Sequence, residues 1–455
     1  MFKLTELIQR ERIAIIGAGV AGIVSAYLLQ NKYDVTLFEK NEYVGGHTNT
    51  VLIPNGPDAG LPVDTGFIVF NSRTYPYFEQ FLAELEVEDR NSTMSFSYFS
   101  ERSGLYYAGT SLNGLFAQRR NLIRPYFWRM LNDLVRFNKQ ALLDADSDKL
   151  VGLTLGDYVR QMGLSKEFMS LYLLPMGAAI WSTPTGEILN YPAQSFIHFF
   201  RNHGLLTVQD QRRLQWKTVK GGSNAYVKAF LKSFKGTVVT GAKIDRVRRT
   251  ADVHGKWSAT ICHSDGREES FDRVVFGTHA NEALQLLEQP TPMEHKLLGA
   301  WNYSKNHTVL HTDISVLPPS KKAWAAWNYT EETKSSPEHP VSVSYYMNAL
   351  QGLNTPTNYC VTLNRTQPIK NEHIIREMNY THPVFSFDAI NSQTHLPTLN
   401  GGQATYYCGS YFGYGFHEDA VRSSVQMVNA HFDVIWPALE ISQPAYFDRS
   451  LKTDA

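Results

Sequence analysis

Cysteine is nearly absent: the 455 residues hold three, Cys262, Cys360 and Cys408, far apart and with no C-x-x-C among them. That argues against a disulfide framework and a cysteine-only zinc site, and suits a reducing compartment. Net charge is absent as well, with 43 Lys+Arg against 43 Asp+Glu, so no global basic field favours nucleic acid or anionic lipid. Internal repeats and low-complexity tracts are missing. One uncharged run approaches the length of a signal peptide or a marginal membrane span, the nineteen residues Ile13–Asn31 that follow Arg10 and Arg12. Its interior argues otherwise. Ile13–Ile16 is a short apolar run, Gly17, Gly19 and Gly22 follow at turn spacing, and an apolar helical run begins at Ile23, with no clear A-x-A cleavage site before Val35–Glu39. The pattern predicts a buried strand, turn and helix in a cytoplasmic protein. What is abundant is apolar and aromatic: 43% hydrophobic residues, with 25 Phe, 24 Tyr and 8 Trp, enough for a substantial core and a large apolar pocket.

G-A-G-V-A-G at 17–22 has a physical logic. Gly17 permits the tight turn, Gly19 lets a pyrophosphate approach the backbone, and Gly22 lets helix and strand pack closely; Val20 and Ala21 then open a helix whose free N–H groups and dipole face the phosphates. Val35–Glu39 reads as the second parallel strand, and Glu39 lies 20 residues beyond Gly19, where a carboxylate accepts hydrogen bonds from an adenosine ribose. An acid there disfavours a 2′-phosphate and so NADP.

The residues that follow point to FAD. Lys40, Gly45-Gly46-His47 and then Asp64-Thr65-Gly66-Phe67 resemble the flavin-containing amine oxidase superfamily, which includes amine oxidases and carotenoid-type desaturases. The resemblance implies that Gly45 and Gly46 lie near the diphosphate and ribityl chain, and that Asp64 and Gly66 bring backbone close to the isoalloxazine. His47 stands where the superfamily commonly has Arg. Further along, Gly221-Gly222-Ser223, a helical run to about Phe234, and strand-like Thr237–Val247 and Arg273–Gly277 resemble the middle segment, with Ile244 matching the residue whose backbone meets the adenine. Tyr406-Tyr407-Cys408-Gly409 and Phe416-His417-Glu418-Asp419-Ala420 resemble the closing signature, where a helix N-terminus faces the flavin pyrimidine. Ser410 replaces the usual acid after the terminal glycine, and the superfamily's covalent cysteine has no clear match, so noncovalent FAD is expected. More narrowly, GGHTNTV (45–51), VDTGFIVFN (63–71), LLPMGAAIWSTP (173–184) and GYGFHEDAVRS (413–423) resemble a group described as predicted NAD/FAD-binding proteins, which often accompanies cyclopropane-fatty-acid-synthase-like enzymes.

The implied fold is α/β: a discontinuous Rossmann-type FAD-binding domain from 1–75, 215–295 and 398–440, and an inserted α+β substrate domain from 76–214 and 296–397. The first insertion is helix-rich by pattern, the second is punctuated by proline and holds alternating strands such as Val341–Tyr346, and 441–455 reads as a frayed tail. Chemistry beside the ring is harder to read, because a flavin accepts hydride itself. Phe416 occupies one aromatic position facing the flavin, with Tyr414 nearby. The amine oxidase lysine has no secure match; Lys305 is nearest, though strand pattern puts Thr308 there. His382 and His417 are the acid–base candidates if they face the ring, with structural roles favoured for both. His307, His311 and Asp313 share one face of a strand, but no motif supports a metal.

Gly114–Phe137 is locally basic and aromatic: Arg119, Arg120, Arg124 and Arg129 accompany Phe127 and Trp128, which reads either as an interfacial helix touching a membrane or as an ordinary amphipathic helix. Pro125 starts or kinks a helix there. In LLPMGAAIWSTP, small Gly177, Ala178 and Ala179 followed by Trp181 suit a substrate tunnel or tight packing alike. The expected activity is FAD-dependent hydride abstraction from an apolar, fatty-acyl-type substrate, as in a desaturase or dehydrogenase. A flavin-dependent double-bond isomerase, an ordinary amine oxidase and a non-enzymatic flavoprotein partnering a lipid-modifying enzyme are the alternatives.

Overall fold

Ile13, Ala14 and Ile15 have no solvent exposure, as a strand covered on both faces requires. In the computed structural model, which describes residues 10–206, 214–334, 336, 338 and 341–436, they lie on strand Arg12–Ile16 at the centre of a five-stranded parallel sheet. Asp34–Phe38 and Thr237–Val239 stack on one side, Arg273–Phe276 and Thr405–Tyr407 on the other. In chain order this is 3-2-1-4-5, so the order reverses beside the first strand, and the crevice at the strands' carboxyl ends lies there. Each fully buried Ile or Leu in such a strand contributes about 1.5–3 kcal/mol relative to exposure.

The uncharged N-terminal run folds as strand and helix rather than a span: the helix is Val20–Leu29, ten residues, starting three residues before Ile23 because the glycine turn ends sooner than the apolar pattern suggests. No helix among the described residues is long and apolar enough to cross a membrane. The single strand expected over Thr237–Val247 is two. Thr237–Val239 joins the parallel sheet, Gly241 takes φ +62°, and Ile244–Ala251 begins a three-stranded antiparallel meander with Trp257–His263 and Glu268–Phe271. Apolar alternation runs through the corner and hides it.

Between the second and third parallel strands come the helices of 112–202, among them Pro125–Asp144, Leu174–Trp181 and Ala193–Asn202. Pro125 starts the long helix, its fixed φ suiting the first turn. A seven-stranded sheet, ordered Ile374–Val384, Asn302–His311, Cys360–Leu363, Ser342–Tyr346, Trp327–Glu331, Phe96–Ser100, Tyr106–Ala108, forms the second layer. It is antiparallel apart from the Trp327–Glu331 and Phe96–Ser100 pair. Asp89–Ser92 pairs with Trp216–Val219, joining the start of the first insertion to the segment that follows it. The tail at 441–455 lies outside the described residues.

Candidate functional site

The glycines define a cradle by what a side chain would strike. A Cβ on Gly22 would stand 1.9 Å from the Gly17 carbonyl oxygen, so the helix rests directly on the turn; Gly17 itself has φ +96°. A Cβ on Gly19 would meet nothing within 4 Å: that face is open. Gly45 donates to the Ala18 carbonyl (2.8 Å), and Gly46 comes so close that its Cβ would lie 3.1 Å from Gly19 Cα. Val20 and Ala21 form the helix's first turn, whose N–H groups have no intrahelical partner.

Glu39, buried at the end of the second strand, accepts from Ala18 N–H (2.8 Å) and, through its other oxygen, from Asn41 backbone and side chain (2.9 and 2.7 Å). The oxygen that accepts from Ala18 keeps a lone pair for a hydroxyl, while the other is filled by Asn41. Lys40 is exposed and ion-paired to Glu282. Val239 accepts from Glu39 N–H and Glu39 accepts from Ala242 N–H, which brings Ile244 at the start of the meander toward this end of the sheet.

Asp64 turns out to be a structural joint. Its buried carboxylate accepts from Ser223 N–H (2.8 Å), Ser223 Oγ (2.9 Å), Thr50 Oγ1 (2.5 Å) and Gln351 Nε2 (3.0 Å), tying four separate segments. Burial raises it to about 6 despite those donors. Thr65 hydrogen-bonds Tyr380 (2.7 Å). Gly66 has no room for a side chain, since its Cβ would sit 2.2 Å from the His47 carbonyl, which Phe67 N–H already engages at 2.9 Å.

Four histidines meet beside this loop. The His47 ring lies 5.9 Å from that of His279 and 5.6 Å from that of His382, with Tyr380 at 5.1 Å. His47 Nε2 donates to the Thr381 carbonyl (3.1 Å), which leaves Nδ1 its lone pair. His417 Nε2 bonds the Thr48 hydroxyl at 3.0 Å, and Tyr226 shares that hydroxyl at 2.5 Å. Burial pushes His47 well below the usual imidazole range, with its neighbouring histidines adding to the effect. Burial likewise lowers His382 to about 4 and His417 to about 3. The cluster is therefore neutral, a set of polar but uncharged walls. His279 was not singled out from the sequence; it follows the fourth parallel strand, stacks on Tyr303 at 4.3 Å, and only the fold brings it to His47.

The closing segment places Cys408 behind the sheet, its thiol 3.5 Å from Ser25 Oγ. Gly409 N–H donates to Ser423 Oγ, and the Ser410 carbonyl accepts from Gly413 and Gly415 N–H. The last helix, His417–His431, starts at Phe416. Two acids at its start have structural work. Glu418 accepts from Tyr77 and Phe78 N–H (3.1 and 2.9 Å), capping the helix Pro76–Glu84, and burial raises it to about 8. Asp419 accepts from Tyr414 and Phe416 N–H (3.0 Å each) and pairs with Arg422. Ala420 is buried in the helix's first turn.

Phe416 is the end of an aromatic wall. It stacks on Phe199 (5.1 Å, 21°), which meets Trp181 at 4.8 Å and Tyr414 at 5.8 Å; Trp181 meets Tyr191 at 4.7 Å. Gly177 lets this wall pack, since its Cβ would touch Phe196 at 3.0 Å. Beside Phe416 lies a small open pocket, about large enough for a water molecule, lined also by Tyr75, His203, Tyr414 and Arg422. Strand Asn302–His311 settles the lysine's direction: Lys305 is exposed, while Asn306 and Thr308 face inward with no exposure. Asn306 donates to His382 Nδ1 at 3.2 Å. Nearby, His311 bonds the Thr362 hydroxyl (2.7 Å), and His307 lies exposed beside Glu377. No group of three or more His, Cys, Asp or Glu among the described residues is arranged to hold a metal ion.

Residues 20–349 match the family model described as flavin containing amine oxidoreductase. An L-amino-acid oxidase of Siganus canaliculatus is 24% identical over 66% of this chain and 56% of its own length. A hydroxyneurosporene desaturase of Rubrivivax gelatinosus is 38% identical over 15% of this chain and 13% of its own. The chain thus spans little more than half of the one relative and a short part of the other. Among solved structures, a fatty acid isomerase from P. acnes, titled as CLA-producing, superposes with a TM-score of 0.64 at 16% identity, covering 93% of this chain and 99% of that one.

Proposed function

Because the chain belongs to the flavin-containing amine oxidoreductase family, we propose that it is an FAD-dependent oxidoreductase, with FAD held noncovalently, that takes hydride from a C–H bond of an apolar, fatty-acyl-type substrate. Flavin chemistry comes with the family; FAD as the particular flavin is supported by the cradle. The open face at Gly19, the paired turn at Gly45 and Gly46, and the lone pair left on Glu39 fit a dinucleotide with an adenosine ribose. The noncovalent mode is supported by the thiols: Cys408 packs on Ser25, Cys262 lies in the meander and Cys360 is buried in the seven-stranded sheet. The proposal also divides the chain as the sequence suggested, with 1–75, 215–295 and 398–440 holding the cofactor and 76–214 and 296–397 the substrate.

The observation that carries the substrate class is the unbroken aromatic wall from Trp181 through Phe199 to Phe416. Bound flavin supplies the hydride acceptor. The chain's own part is to lay a C–H bond against it and keep water out, which stacked rings do through buried apolar area. His47, His382 and His417, held neutral, offer no fixed positive charge to an anionic head. Lys305, directed outward, does not reach this wall, which disfavours an ordinary amine oxidase.

A double-bond isomerase, returning the hydride to another carbon, would use the same wall. The solved fatty acid isomerase has this fold, and at 16% identity the fold is all that transfers. Anaerobic mixing of the yellow protein with unsaturated and saturated fatty acyl lipids separates the readings. Lasting bleaching of the flavin is the expected result; altered lipid without lasting bleaching favours the isomerase. Bleaching by primary amines alone would sink the acyl assignment, and no response to any of these would favour a non-enzymatic partner of a lipid-modifying enzyme.

A further inference from the structure

Exposed apolar side chains are unevenly spread. Of sixteen large ones among the described residues, eight fall between Leu112 and Val151, including Leu112 (77% exposed) and Ile123 (82%). Scattered single residues of this kind need no explanation, but half of them on one segment do. Trp128, Val135 and Leu142 recur at seven-residue spacing on the helix Pro125–Asp144, so they form one stripe. The opposite face of that helix is buried through Phe127, Met130, Phe137 and Ala141. Trp128 Nε1 donates to the Leu122 carbonyl (2.9 Å), which joins the stripe to exposed Leu122 and Ile123.

Within 112–143 charge is mostly of one sign, before Asp144, Asp146 and Asp148 follow. Residues 112–143 hold six Lys+Arg and a single acid, Asp133, in a chain whose net charge is zero. Asp133 is buried and bonded to Arg136 and Ser165 N–H. Arg129 pairs with Glu167, but Arg119 bonds only Asn113 and the Phe116 carbonyl, and among the described residues Arg120 and Lys139 have no acidic partner. An apolar stripe containing a tryptophan, flanked by Arg119, Arg120 and Lys139 with no acid among the described residues to neutralise them, matches an anionic bilayer surface in both chemistry and charge.

We propose that this face, from Leu112 to Leu143, docks the protein on an anionic lipid membrane. The buried side of the same helical layer leads to the aromatic wall: His198 Nε2 donates to the Ala145 carbonyl (2.7 Å), and His198 lies on helix Ala193–Asn202, which carries Phe199. Docking would therefore set the wall close to a lipid source. The inference stands on exposure and charge, and it holds or fails apart from the flavin assignment.

The test is co-sedimentation of the full chain with vesicles of phosphatidylcholine alone and of phosphatidylcholine and phosphatidylglycerol in equal parts. Binding to the mixed vesicles, weakened by salt, is expected. Arg119→Glu with Arg120→Glu should weaken it about tenfold or more, and Ile123→Asp should abolish it, with melting temperature and flavin content unchanged. Should either variant fold poorly, Lys139→Glu, far along the same face, must still weaken binding. The proposal is overturned if the wild type stays in the supernatant with mixed vesicles, or if charge reversal leaves sedimentation as before. A dimer in solution that Ile123→Asp dissolves would also overturn it, because a second copy would then cover the face.

Discussion

The imidazole of His417 lies flat on the phenyl ring of Phe67, centroids 3.6 Å apart and planes 11° from parallel. One ring starts the last helix and the other ends the Asp64-Thr65-Gly66-Phe67 motif, so the stack closes the site across 350 residues of chain. His417 adds a hydrogen bond to Thr48, next to His47. Replacing His417 by Leu keeps apolar cover for Phe67 but strands that hydroxyl contact, at a cost of about 1 kcal/mol. The expected outcome is a small drop in melting temperature and a larger loss of flavin affinity, seen by fluorescence titration. Unchanged flavin affinity would show that this joint does not serve the cradle.

Gly19 and Gly22 differ in what they permit, and substitution should separate them. Gly22→Ala places a methyl group 1.9 Å from a carbonyl oxygen, so the helix must leave the turn. Overpacking of that kind costs about 1–3 kcal/mol or more. Gly19→Ala meets nothing within 4 Å, at an extended φ of −73° that alanine adopts freely. Melting of the flavin-free protein should therefore fall for Gly22→Ala and hold for Gly19→Ala, while flavin uptake falls in both. A Gly19→Ala variant with full flavin content would mean that the diphosphate does not approach there.

Local pattern carried the cradle; tertiary register carried the rest. Glycine spacing between a short apolar run and a helix is visible in consecutive residues, and it came out as strand and helix with only the helix start displaced. The histidine cluster was half visible. His47, His382 and His417 drew notice through the motifs beside them, but His279 and Asn306 have no local signature, and meet the others only because Asn302–His311 pairs with Ile374–Val384. The role of Asp64 was hidden for the same reason. Its donors come from Thr50, Ser223 and Gln351, and no spacing rule links those positions. Lys305 and Asn306 are adjacent in the chain, and only the strand's alternation decides which one enters the site.

Stability should fall as pH rises through neutrality. Glu418 is raised from its ordinary 4.5 to about 8 by burial. Below pH 4.5 folded and unfolded chains both hold the proton. Between 4.5 and about 8 the unfolded chain releases it and the folded chain keeps it, so rising pH favours unfolding; above 8 the effect levels off. A gap of that size corresponds to about 4–5 kcal/mol at most. Asp64, raised from 3.8 to about 6, acts with the same sign over a lower window. Below pH 6.5 the buried histidines act with the opposite sign, because the unfolded chain takes up protons there that His382 and His417 refuse in the fold. Glu418→Gln should therefore flatten the decline between pH 6.5 and 8, while lowering the whole curve by about 1 kcal/mol, because the amide nitrogen cannot accept from a backbone N–H. Chemical denaturation at a series of pH values reads both effects. Parallel curves for the variant and the wild type would refute the role of Glu418.

The contrast between Lys305 and Phe199 bears on the reaction itself. Lys305 is exposed, while Phe199 is buried between Trp181 and Phe416 in the stacked wall. If the wall holds the substrate, Phe199→Ala removes one ring from a continuous apolar surface, and the flavin bleaching rate at low acyl-lipid concentration should drop tenfold or more, on the order of the 1.4 kcal/mol that each tenfold represents. The same change costs about 3–5 kcal/mol of stability if the gap does not collapse, so Phe199→Leu, which keeps most of the volume, is the necessary companion. Leu should restore the melting temperature but not the whole rate, because an aliphatic side chain cannot reproduce the stack on Phe416. Lys305→Met, by comparison, should leave the bleaching rate within twofold, on the order of what a surface change does. A large loss with Lys305→Met and none with Phe199→Leu would place the chemistry on the outer face of the strand, and the aromatic wall would then be core and nothing more.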